Sequence, residues 1–132
     1  MDITYKEAKS LMEAAISLAM QRNISVSVAV ADSHGELVVY GRMDGAALHS
    51  GVLAQAKAYT AARERKPSFE NGRWARETNK DMGYWVDPKI TGMGGGLPIF
   101  KNKAVIGGMG ISGLTEEEDE QLVLDAMSQC GF

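Results

Sequence analysis

The residues of this chain that could do chemistry are two histidines, one arginine-led polar break and two glycine clusters. His34 follows Asp32 in Asp32-Ser33-His34-Gly35. An imidazole beside a carboxylate suits a general base or a metal ligand, and it equally suits a solvated turn. His49 comes just after the break Arg42-Met43-Asp44-Gly45-Ala46, where a helical pattern begins. There it could be an axial iron ligand, an acid/base group, or an exposed or capping histidine. Arg42 and the first amides of that helix could hold an anionic group such as a carboxylate. Asp44 could cap the same amides instead. Two histidines without a clustered carboxylate spacing make a poor zinc pattern.

The glycines admit two readings. Gly94-Gly95-Gly96 lacks the following Lys-Ser/Thr and leads into a strand, so it is not a phosphate loop. Gly107-Gly108-x-Gly110-x-x-Gly113 has no βαβ unit around it and is not a dinucleotide fingerprint. Either these glycines form a wall that a ligand approaches closely, or they allow tight sheet packing. On the first reading the ligand site lies where Arg42–Ala46, the start of the second helix, and the segments containing Gly95, Gly96 and Gly108 converge. His49 would face it if Val52 and Ala56 also face inward, a spacing of three and four. Met43, Met93 and Met109 could line a soft apolar pocket or fill the core. Lys57, Arg63, Arg65, Lys66, Arg73, Arg76 and Lys80, offset by acids, read as an anion surface or a solvated helix face. Glu116 to Glu120 suits a helix N-terminus by its dipole alone. No serine or cysteine stands in a nucleophile-elbow context, and Cys130 reads as structural or idle.

The elements that must position these groups alternate. Thr4-x-x-Glu7 is a capping box, followed by Ala8, Leu11, Met12, Ala15, Leu18 and Ala19 at helical spacing, with Asn23 a plausible left-handed stop. Val26–Ala31 and Leu37–Arg42 read as an antiparallel hairpin. An alanine-rich helix spans about Leu48 to Arg65 and ends before Pro67. Phe69 to Lys80 reads as a third, more polar helix, weakened by Gly72. Residues 83–113 hold nine of the fifteen glycines. Leu97–Phe100 and Ala104–Ile111 form a second hairpin about Lys101-Asn102-Lys103. Thr115-x-x-Glu118 opens a last helix with Leu122, Val123, Ala126 and Met127 inward. The plan is α+β, an antiparallel sheet covered by helices.

Composition bounds the rest. With 132 residues, 45% hydrophobic and 23% charged, the chain reads as one globular domain spanning 1–132 that needs no disulfide staples. Fourteen basic against 17 acidic residues give a net charge of −3, which argues against a nucleic-acid partner. A single cysteine allows neither an internal disulfide nor a multi-cysteine metal site. No secretory signal pattern or membrane-length apolar stretch is present, so a cytoplasmic location without a membrane partner is expected.

Five short motifs occur in order: Val28-Ala29-Val30-Ala31-Asp32 with Gly35; Arg42-Met43-Asp44-Gly45-Ala46; Lys57-Ala58-Tyr59-Thr60-Ala61; Gly94-Gly95-Gly96-Leu97-Pro98-Ile99; and Val105-Ile106-Gly107 with Ile111-Ser112-Gly113. Together they resemble the GlcG/HbpS family, over Thr4 to Ala126. The resemblance implies a profilin-like domain of α/β/α layers with a five-stranded antiparallel sheet, the fifth strand near Ile90-Thr91. It implies a homo-oligomer and, as in several members, binding of haem or a related tetrapyrrole. It also implies a partner enzyme of diol, glycerol or glycolate metabolism. Three functions compete on this reading: a small-molecule binding protein, an accessory or chaperone-like oligomer, and an enzyme acting on a small metabolite or degrading haem. The family has no fixed axial ligand, so His49 as a haem-iron ligand rests on its position in this sequence alone.

Overall fold

A computed structural model describes all 132 residues. The first helix, α1 (Tyr5–Gln21), begins at the Thr4 capping box, with Glu7 N donating to Thr4 Oγ1 at 3.0 Å and Thr4 N to Glu7 Oε1 at 2.9 Å. It buries Ala8, Leu11, Ala15, Leu18 and Ala19, the expected stripe. Asn23 follows with φ 56°, the left-handed stop. Strands β1 (Ser27–Asp32) and β2 (Leu37–Arg42) form the first hairpin. Helix α2 (Ser50–Glu64) ends at Arg65, which is left-handed (φ 60°), just ahead of Pro67. Helix α3 (Phe69–Thr78) and a 3-10 turn (Met82–Trp85) lead to strands β3 (Gly96–Lys101) and β4 (Ala104–Ser112), which form the second hairpin. Helix α4 (Glu116–Gln129) starts at the second capping box, Thr115 with Glu118. No helix is long and apolar enough to cross a membrane.

The sheet is antiparallel with strand order β2-β1-β4-β3. It has four strands, not the five that the resemblance implies. The stretch at Ile90-Thr91 is not extended against the sheet. Ile90 N donates to Asp87 O within a turn, and Thr91 N donates to Thr60 Oγ1 of α2 at 2.9 Å. A segment whose amides are taken by a turn and a helix side chain has no ladder left to form.

The two faces of the sheet are covered differently. Helices α1 and α4 pack together over one face, where Leu11, Val26, Val28, Val30, Ile106, Met109, Ile111, Leu122 and Val123 form the main core. Helix α2 lies alone on the other face, over β1, β4 and β3. There the packing is backbone against backbone. A β-carbon at Gly108 would overlap the Ala58 carbonyl, one at Gly110 the Ala54 carbonyl, and one at Gly96 the Lys57 carbonyl. Ala29, Ala31, Ala54 and Ala58 complete this thin contact. The glycines of β4 and the alanines of α2 are thus two halves of one surface, with no room for a larger side chain.

One buried ion pair joins α2 to α4 past the end of the sheet. Lys57 Nζ donates to Asp119 Oδ2 at 3.0 Å and to the Ile111 carbonyl at 2.9 Å. Asp119 Oδ1 accepts from Leu114 N at 3.0 Å. Both side chains are essentially inaccessible, at 1% and 2%. Burial raises the Asp119 carboxyl above its ordinary value, against the pull of the Lys57 ammonium and the amide bonds that lower it. Lys57 therefore does not belong to a solvated basic face, and Asp119 does more than favour a helix dipole. Gly95, at φ +120°, makes the pair possible: a β-carbon there would stand 2.8 Å from Lys57 Nζ.

Two substitutions test this packing by urea unfolding. Asp119→Ala leaves a buried ammonium without its partner and should cost about 3–5 kcal/mol, whereas the double replacement Lys57→Met/Asp119→Leu should recover most of it. A double variant no more stable than the single one would show that the pair is worth more than its apolar substitute. Gly108→Ala forces a methyl group into the α2 backbone and should cost about 1–3 kcal/mol or more; an unchanged midpoint would show that α2 can lift off the sheet freely.

Candidate functional site

The polar break that sequence singles out is an exposed corner. Arg42 is the last residue of β2, opposite Ser27, and its guanidinium takes part in none of the chain's ion pairs. The chain then turns: Ala46 N donates to Met43 O at 3.1 Å, and Gly45 takes φ +83°, which a side chain would resist. Arg42 to Ala46, together with Leu48, line a cavity of about 300 Å³. Asp44 is exposed beside it and does not cap α2. Ser50 anchors the helix start instead: its hydroxyl donates to the Ala47 carbonyl at 2.6 Å and lies 2.8 Å from the buried Ser27 hydroxyl.

His49 immediately precedes α2, is exposed, and makes no side-chain capping bond. Its neighbours on the surface are apolar. Leu48 is 88% exposed and Val52 59%. Val52 and Ala56 do not face the core. They form one wall of a groove of about 350 Å³ between α2 and β2, with Leu37, Tyr59 and Lys89. The groove lies where α2, seated mainly over β1, β4 and β3, covers the β2 edge least. Tyr59 is fixed in it. Its hydroxyl donates to Asp87 Oδ2 at 2.6 Å, which is the main reason its own pKa is raised and that of Asp87 lowered. The Arg63 guanidinium and the Lys89 ammonium lie 5.3 and 5.4 Å from its ring centre.

The structure therefore brings together only part of the expected site. Arg42, Asp44 and Gly45 share one corner with Leu48, and His49 follows Leu48 in the chain. Gly95, Gly96 and Gly108 do not reach it. Arg42 closes the β2 edge and Gly96 opens the β3 edge, with β1 and β4 between them. What occupies the glycine wall is α2 itself. Met109 is core and Met43 packs against it, while Met93 is 41% exposed in a separate loop. Cys130 is half-buried, and burial alone pushes its thiol up, away from a reactive thiolate. The groove at Tyr59 escapes sequence reasoning, because periodicity shows that one face of a helix is apolar but not which strand it leaves bare.

Comparison with known proteins fits this architecture. A sequence model described as "Haem degrading protein HbpS-like" matches residues 3–128. A 15.0 kDa protein of Citrobacter freundii, named for the dhaT-dhaS intergenic region, is 33% identical over 127 residues, which is 95% of this chain and 89% of that protein. The crystal structure of a double mutant of Streptomyces reticuli HbpS superposes with a TM-score of 0.90 at 28% identity, covering 100% of this chain and 89% of that one. A PduOC–haem complex superposes with a TM-score of 0.87 at 28% identity, covering 97% of this chain and 94% of that one. With nearly its full length matched in sequence and in fold, the chain belongs to the HbpS-like family.

Proposed function

We propose that this protein is an oligomeric binding protein for haem or a related tetrapyrrole, and that the corner at Arg42–His49 holds the ligand. One observation carries the reading. A bare imidazole, an unpaired guanidinium and two exposed aliphatic side chains lie along the stretch from Arg42 to Val52, at Arg42, Leu48, His49 and Val52. A planar apolar ring with a central metal and acidic tails asks for that combination. Leu48 and Val52 cover the macrocycle, His49 faces the iron, and Arg42 pairs with a propionate. Gly45 lets the backbone come close, and Asp44 turns the ligand's carboxylate toward Arg42 by repulsion. Gly95, Gly96 and Gly108 have no part in this site. The haem complex of the PduOC relative supports the choice of ligand.

The exposed aliphatics and the open β2 edge also support self-association, since a second copy would cover them. A second reading has its own support. The Citrobacter relative is named for a position between two other genes, which suits an accessory role beside a metabolic enzyme. Co-purification with such an enzyme would favour it.

Titration with haemin should give a Soret band at stoichiometric loading. His49→Ala should shift that band, and Arg42→Ala should weaken binding by about 1.5–3 kcal/mol, the size of a charged hydrogen bond. An unshifted spectrum with unchanged affinity would refute the corner as the site. Light scattering at micromolar concentrations should give at least twice the 14.2 kDa chain mass. A single-chain mass throughout would overturn self-association.

A further inference from the structure

At the opposite end of the β1–β2 hairpin from Arg42, three donor side chains from two distant stretches of sequence meet. Asp32 ends β1, His34 lies in the turn, and Asp2 arrives from the segment before α1. One oxygen of each carboxylate and a nitrogen of the imidazole all lie within 4.8 Å of one another. Sequence alone offers only the Asp32/His34 pair; the fold supplies the third donor. The main chain holds it there: Ile3 N donates to the Ile106 carbonyl at 2.9 Å, and Ser33 N donates to Asp2 Oδ1 at 2.8 Å. Asp32 Oδ1 in turn accepts from His34 N at 2.9 Å and Glu36 N at 3.0 Å.

These bonds orient both carboxylates while using one oxygen of each. No lysine or arginine side chain pairs with either aspartate. The nearest guanidinium, that of Arg63, donates to the His34 carbonyl at 3.2 Å instead. His34 is bonded only through its backbone, so its imidazole is free. Two carboxylates this close repel each other, and a cation between them removes the repulsion. One imidazole with two carboxylates is a donor set for borderline first-row divalent ions, whereas calcium and magnesium prefer oxygen throughout.

We propose that Asp2, Asp32 and His34 form a surface site for a divalent first-row transition metal, bound through one oxygen of each carboxylate and one imidazole nitrogen. The outward positions on the metal are left to water. The ion clips the segment before α1 to the hairpin turn. The site is independent of the haem reading: it lies at the far end of β2 (Leu37–Arg42) from Arg42, about 17 Å of strand away.

The test uses the whole chain without haem. Zinc is titrated by calorimetry, and cobalt(II) is followed by its visible d–d bands. One ion should bind per chain. His34→Ala and Asp2→Asn should each weaken binding by about tenfold or more, and His49→Ala should leave it unchanged. All three positions are at the surface, so folding can be verified by an unchanged far-ultraviolet spectrum. No zinc uptake at millimolar concentration, uptake undiminished in His34→Ala, or uptake that depends on His49 would each overturn the proposal.

Discussion

The Lys57–Asp119 pair sets the geometry of the molecule. Two helical layers lie on opposite faces of one sheet, and this is the contact that reaches from one to the other. Its charges are removed from water, which is costly unless every lone pair and proton is used. Here much of that cost is met: the ammonium meets a carboxylate and a main-chain carbonyl, and the carboxylate also takes a main-chain amide. The glycines at 95 and 96 follow from it, since the lysine stem and its backbone fill the space their side chains would need. The direction of α2 follows in turn, and with it the strand that α2 covers least.

That least covered strand is where the candidate chemistry collects. A helix centred over β1, β4 and β3 covers β2 only in part, so one edge of the sheet carries partly exposed Leu37 and Tyr40. The loop from Arg42 to His49 joins this edge to α2. It contributes a cation, an imidazole and aliphatic side chains to one corner. At the other end of the hairpin the turn carries an imidazole with two carboxylates. The two histidines of the chain thus end up at opposite ends of one hairpin, in different chemical company.

Sequence showed the fold almost completely, and for definite reasons. The capping boxes at Thr4 and Thr115 and the positive-φ stop at Asn23 are local, so a local reading finds them. The strand pairs were legible because short turns leave only one way to pair. The fifth strand was a family expectation, and it failed because Thr60 takes the amide that a ladder would need. The site was less legible. Glycines that welcome a ligand and glycines that welcome a helix look the same in one dimension. A lysine in a charged run looks solvated until its helix is oriented, and Asp2 gains meaning only from a turn it meets through the fold.

The contact between α2 and the sheet has a mechanical consequence. On the α1/α4 side large side chains interlock, and such a layer can repack by changing rotamers. On the α2 side there is almost nothing to repack, because carbonyls rest against glycine α-carbons. A helix seated in this way is stiff: it cannot roll or slide by a fraction of a turn without colliding with β4. It therefore acts as a fixed rail along one wall of the groove. Whatever adjusts when that groove or corner is filled must be the Met43–His49 loop or the segment from Met82 to Lys89, which close it from the outside.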